Sequence, residues 1–196
     1  VSFPEMMILS LLAALQAMPL DLAPAQDAAE PRVYQSIDAH LDDKLLALST
    51  ATEDKRASTL ADEVRSLWRQ QAGATADLLL QRGAEARERG DLDTAWRSYD
   101  HLRALEPEYA EGWVVSAELA VQASDWEFAL EALNQAVTLD ERRFDAWALL
   151  GRALEQAQAR EAAMEAYREA VMLYPLHPAA GPALARLERE LAGRAL

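Results

Sequence analysis

Between Ala76 and His177 the apolar positions recur in three successive blocks of 34 residues, with helical spacing inside each block. The pattern predicts a pair of helices in each of 76–109, 110–143 and 144–177. Turn residues agree with it: Gly90 and Asp91 separate the helices of the first block, Ser124 with Glu127 forms a capping box in the second, and Pro107 and Pro175 close the first and third. Upstream, Ser36 caps a helix whose stripe is Ile37, Leu41, Leu45 and Leu48. Thr52 caps a second, with Leu60, Val64, Leu67 and Trp68 on one face, and Gly73 ends it. Residues 36–73 therefore read as a helical hairpin, preceded by a Pro31-containing linker over 26–35. Downstream, in 178–196, Gly181 and Pro182 open a last helix with Leu184, Leu187 and Leu191 on one side. Arg186, Arg189, Glu190 and Arg194 take the other side, as suits an end cap.

The third block carries Trp147-x2-Leu150-Gly151-x2-Leu154, then Ala163-x3-Tyr167, Ala170 and Pro175. One period earlier stand Trp113, Ala117, Ala129, Leu133 and Ala136, and two periods earlier Leu79, Gly83, Ala95, Tyr99, Leu102 and Pro107. This order of large, small and proline positions resembles the tetratricopeptide repeat. Leu79 in place of an aromatic, Ser116 in place of leucine and Glu141 in place of proline depart from the pattern without removing a small residue. The resemblance implies an all-α, right-handed helical solenoid with a divergent N-terminal hairpin and a C-terminal capping helix. The hairpin is expected to cover the exposed face of the first unit.

Close helix contacts require small side chains, so Gly83, Ala117 and Gly151 are expected to face Ala95, Ala129 and Ala163. Trp113 and Trp147 are expected in the core and Trp68 on the buried stripe of the hairpin. Trp96 and Trp126, near the starts of second helices, are expected to be half exposed.

Composition narrows the function. The net charge of -14, with Lys44 and Lys55 the only lysines, argues against a nucleic-acid partner. Such acidity keeps a surface soluble, and it also attracts basic partners in a salt-dependent way. Without cysteine there is no disulfide, thiolate metal site or cysteine nucleophile. His40, His101 and His177 are far apart, and none has a second ligand at helical spacing. The seven glycines are scattered singly, and neither a phosphate loop nor a Gly-x-Ser-x-Gly motif occurs. Carboxylate pairs such as Glu127 with Glu131 and Glu161 with Glu165 read as solvated helix faces. No cofactor, metal or catalytic residue is assigned.

The apolar run Met6–Met18, about 13 residues long, is shorter than the roughly 20 that span a bilayer. Together with Ala23-Pro24-Ala25 it resembles a secretory signal over 1–25, cleaved to leave Gln26 first. Against this, no cation precedes the run, and Glu5 has the wrong sign. Export to a bacterial periplasm is the expectation, in the manner of small exported repeat proteins, with cytoplasmic and membrane-tethered placements as alternatives.

The family resemblance further implies a protein or peptide partner held along the first helices. Carried over by position, the groove comprises Leu80, Ala84 and Arg87, then Val114, Glu118 and Val121, then Ala148, Arg152 and Glu155. Family members that clamp a terminal carboxylate present lysine, asparagine and arginine there, where this chain has Leu80, Ala84 and Val114. The expected function is a non-catalytic scaffold or assembly factor. The alternative is a docking subunit of a larger enzyme complex.

Overall fold

The structure is a computed structural model, and it describes residues 30–194, with side chains from 37 to 193. The apolar run and its cleavage motif lie outside the described residues. The chain divides into Val1–Val33 and Tyr34–Leu196. Of the first unit only the helical residues from Glu30 onward are described.

Nine α-helices account for the regular structure of the described residues. They are α1 (Glu30–Ser49), α2 (Asp54–Arg69), α3 (Ala74–Glu88), α4 (Leu92–Leu105), α5 (Ala110–Ala123), α6 (Trp126–Leu139), α7 (Phe144–Gln156), α8 (Arg160–Leu173) and α9 (Ala180–Arg194). From α3 onward each helix packs against the next, and α5 also touches α7. That order of contacts is the stacking by which one repeat buries the apolar face of its neighbour.

Several local expectations change. α1 begins at Glu30, within the stretch read as a linker, so Ser36 lies inside the helix and not at its start. α2 is preceded by Glu53, not Thr52, and ends at Arg69 with Gln70 following. Gly73 instead precedes α3 in extended conformation. The cap of α6 is Asp125, whose carboxylate accepts the Phe128 N–H at 3.2 Å, as Asp91 accepts that of Thr94 at 3.1 Å for α4.

Ser124 has a different task. It adopts φ 61°, and one period away on either side Gly90 and Gln158 adopt φ 77° and 60°. After each left-handed residue the next N–H donates to the carbonyl five positions back: Asp91 to Ala86, Asp125 to Ala120, Ala159 to Leu154. Each first helix thus ends in a Schellman turn, whose left-handed position glycine fits best and serine and glutamine fill at a steric cost. The period, not the residue type, marks the position.

The nearest neighbours of two of the helix glycines are tyrosines of the second helices. A Cβ added to Gly151 would lie 2.7 Å from the Tyr167 ring, and one added to Gly83 would run into Tyr99. Glycine is needed where the second helix supplies tyrosine, whereas the middle unit combines Ala117 with Leu133. Gly151→Ala is accordingly expected to destabilise by about 1 to 3 kcal/mol through overpacking. Urea denaturation checks this, and adding Tyr167→Leu is expected to restore most of the loss.

Trp113 and Trp147 are half-buried, not fully enclosed. Their Nε1 atoms donate to the Pro107 and Glu141 carbonyls, each at 2.9 Å, and so tie each repeat to the loop that precedes it. Trp96 is half-buried with its ring 5.4 Å from Phe128, edge on, and Trp126 is half-buried against the core of the second and third units.

The larger correction concerns the hairpin. Leu41, Leu45 and Leu48 of α1 and Leu60, Val64 and Trp68 of α2 share one core with Phe144 and Tyr174 of the third unit. The hairpin does not simply cover the first unit. Phe144 and Tyr174 are large apolar side chains whose own repeat does not enclose them, and Trp68 fills the space beside them, fully buried.

Candidate binding groove

The seat of α2 is built from one repeat position. Tyr109, Arg143 and His177 each close their unit, one period apart. The Tyr109 hydroxyl donates to the Trp68 and Arg69 carbonyls at 3.2 and 3.0 Å, satisfying the end of α2. The Arg143 guanidinium lies 4.2 Å from the Trp68 ring centroid. His177 stacks edge on against Tyr174 and Phe144, and Arg65 of α2 covers the Phe144 ring at 5.2 Å. Asp140 accepts from Trp68 Nε1 at 3.1 Å, and Arg142 pairs with Asp42 of α1 at 2.7 Å.

Arg143 is 1 % exposed and belongs to a buried ionic trio. Its Nη2 donates to Glu111 Oε2 at 2.7 Å and to Asp145 Oδ2 at 2.8 Å, and its Nε donates to Asp145 Oδ1 at 2.9 Å. Burial pushes the Glu111 carboxyl above the ordinary range, against the pull of Arg143. Burial acts upward on Asp145 too, but the charge and hydrogen bonds of Arg143 and the Ala146 N–H outweigh it and leave this carboxyl below its usual value. Arg143 is held more firmly protonated than usual, its two carboxylates overcoming the cost of burial.

Beside the trio opens a cavity of about 520 Å³, walled by Arg65 and Arg69 of α2 and floored by α3 and α5. Of the nine residues expected in a groove, Leu80, Ala84, Arg87, Val114 and Glu118 line it. Leu80 and Val114 are buried, Ala84 is exposed, and Arg87 pairs with Glu118 at 2.6 Å. That hydrogen bond, opposed by burial, holds the Arg87 guanidinium above its usual range.

The other four residues are not brought there. Val121 is half-buried outside the cavity and Arg152 is exposed. Ala148 packs into the cluster that α9 shares with α8. Glu155 accepts the Tyr167 hydroxyl at 3.0 Å and pairs with Arg186 of α9. The capping helix therefore takes up the inward face of the third unit.

The cavity also holds residues that the sequence reading did not single out, among them Asp77, Glu111 and Asp145. These stand one period apart at the second position of each unit, and their common acidic character was the available signal. Among the described residues no group of histidine and carboxylates is arranged to hold a metal ion, and no helix is long and apolar enough to cross a membrane.

Helix pairs stacked in chain order at one fixed period, enclosing a lateral groove, define an all-α repeat solenoid. The fold is that of the tetratricopeptide repeat, and comparison with known proteins agrees. No family model matches it. A TPR repeat-containing protein of Rhizobium etli is 28 % identical over 106 residues, 54 % of this chain. The chain spans about half, 52 %, of that curated relative's length. Among solved structures, the first TPR of Spaghetti (RPAP3) bound to the HSP90 peptide SRMEEVD has a TM-score of 0.59 at 22 % identity, over 62 % of this chain and 96 % of that one. MamA has a TM-score of 0.57 at 24 % identity, over 61 % and 66 %. The TPR2B domain of yeast Sti1, in a complex with an Hsp70 peptide, has a TM-score of 0.55 at 16 % identity, over 60 % and 99 %. At these identities the likeness speaks to the fold.

Proposed function

We propose that the chain is a non-catalytic interaction module that holds a short segment of a partner protein between α2 and the first two repeats. The cavity over Leu80, Ala84 and Val114 carries this reading, because it combines an apolar floor with charged walls of both signs. The Spaghetti and Sti1 structures hold chaperone peptides on a similar fold, which supports a peptide ligand as a class. An acidic chaperone tail is a poor candidate here. The row Asp77, Glu111 and Asp145 faces the cavity, and the cation nearest the last two, Arg143, is already saturated by them.

Ala84 is the probe of choice, being exposed within the cavity, whereas a charge placed at the buried Val114 would disturb the fold itself. Ala84→Trp is expected to fill the cavity and weaken binding at least about tenfold, roughly 1.4 kcal/mol, with helicity and melting unchanged. A photo-crosslinking amino acid at position 84 is expected to capture the partner. The same group at Leu78, exposed on α3 outside the cavity, is not. Equal capture at both positions, or unaltered binding by Ala84→Trp, would overturn the assignment to the groove.

A further inference from the structure

α9 lacks the serine, threonine or aspartate that usually opens a helix. In their place His177 Nδ1 accepts the backbone N–H of Ala180 at 3.1 Å and of Ala179 at 3.3 Å. An imidazole can accept at Nδ1 only when that nitrogen carries no proton, so a charged His177 loses both bonds. The ring has little freedom to turn away, since its centroid lies 5.3 Å from that of Tyr174 and 6.2 Å from that of Phe144. α9 is also what covers the third unit, through Arg186 on Glu155 and through Leu184 in the cluster containing Ala148 and Tyr167.

We propose that His177 is an acid-sensitive latch on α9: neutral, it caps the helix, and protonated, it frees the first turn and loosens the cover over Ala148 and Glu155. The charges that face it are few. Arg65, on α2, opposes a second cation and is itself paired with Asp62 at 2.9 Å. Asp145, on α7, favours one, but Arg143 already engages it. Tyr174 contributes a neutral ring. Burial and then Arg65 hold the pKa of His177 below the ordinary histidine value. The sign follows. A base whose folded value is depressed contributes its full stability above the unfolded value, about 6.5, and loses it as pH falls through the folded one.

The latch stands whether or not the groove holds a partner, and its test involves no binding. Amide hydrogen exchange of Ala180 and Ala183, corrected for intrinsic rates, is compared at about pH 7.5 and about pH 5 in the wild type and in His177→Asn. Asparagine offers a non-titrating oxygen at a position where it caps well. The wild type is expected to lose about fivefold in protection on acidification, the equivalent of one helix cap, and His177→Asn is expected to lose none. If both lose protection equally, or the wild type loses none, the latch is wrong. Should His177→Asn fold poorly, the wild-type chain with His40→Gln and His101→Gln still decides. Its one imidazole should titrate below the free histidine value in step with the exchange of Ala180, and titration at the free value would overturn the proposal.

Discussion

Arg143→Ala is expected to destabilise the protein by about 3 to 5 kcal/mol, because it leaves the buried Glu111 and the part-buried Asp145 without the cation they share. Arg143 is 1 % exposed and Glu111 8 %, and among the described residues no other cation contacts Glu111 within ion-pairing distance. For a domain of this size each kcal/mol moves the melting temperature by about 2 to 4 °C, so a loss of roughly 6 to 20 °C is the readout. The two carboxylates are not equivalent partners, and pH separates them. Asp145 has a folded pKa below its unfolded value, so its stabilisation is present above the ordinary aspartate value and lost as pH falls through the folded one. Glu111 has a raised folded pKa, so its contribution is fullest below the ordinary glutamate value and is lost as pH rises through the folded one. Near neutral pH, Asp145→Asn is therefore expected to cost more than Glu111→Gln. The reverse order would mean that Glu111, not Asp145, carries the pairing with Arg143.

The same trio shows where sequence reasoning stops. Spacing alone exposes the repeat period and its helix pairs, because Trp113 with Trp147, Gly83 with Gly151 and Ala129 with Ala163 recur as residue types. The stripe of α9 is likewise readable: Leu187 is buried while Arg186 and Arg189 are exposed. The row Tyr109, Arg143 and His177 is just as periodic, but it changes from phenol to guanidinium to imidazole, so no pattern of residue type reveals it. Tyr109 and Arg143 instead make different contacts with the same intruding helix, and His177 packs on the Phe144 and Tyr174 rings that share its core. An apolar stripe such as Leu60, Val64 and Trp68 says that a surface must be buried and is silent on what buries it. For that reason the hairpin's destination, the wall it lends the groove, and the loss of Ala148 and Glu155 to α9 all emerge only in three dimensions.

The hairpin's place in the core is open to a direct comparison of tryptophans. Trp68→Ala is expected to cost about 3 to 5 kcal/mol, as large buried aromatics do when truncated. It removes a fully buried indole whose ring lies 5.3 Å from Phe144, a hydrogen bond to Asp140, and the aromatic cover 4.2 Å above the Arg143 guanidinium. Trp113→Ala is expected to cost less, although Trp113 holds the repeat's signature position. Its ring is half-buried, and its one hydrogen bond, to the Pro107 carbonyl, leaves an acceptor that water reaches. Chemical denaturation of the two variants side by side decides between a structural hairpin and an ornamental one. A hairpin merely resting on the repeats predicts a small loss at Trp68 and a large one at Trp113, with proteolysis clipping α2 while the repeats stay folded. A hairpin that completes the core predicts the opposite order and one cooperative transition, because Phe144 and Tyr174 belong to both bodies at once.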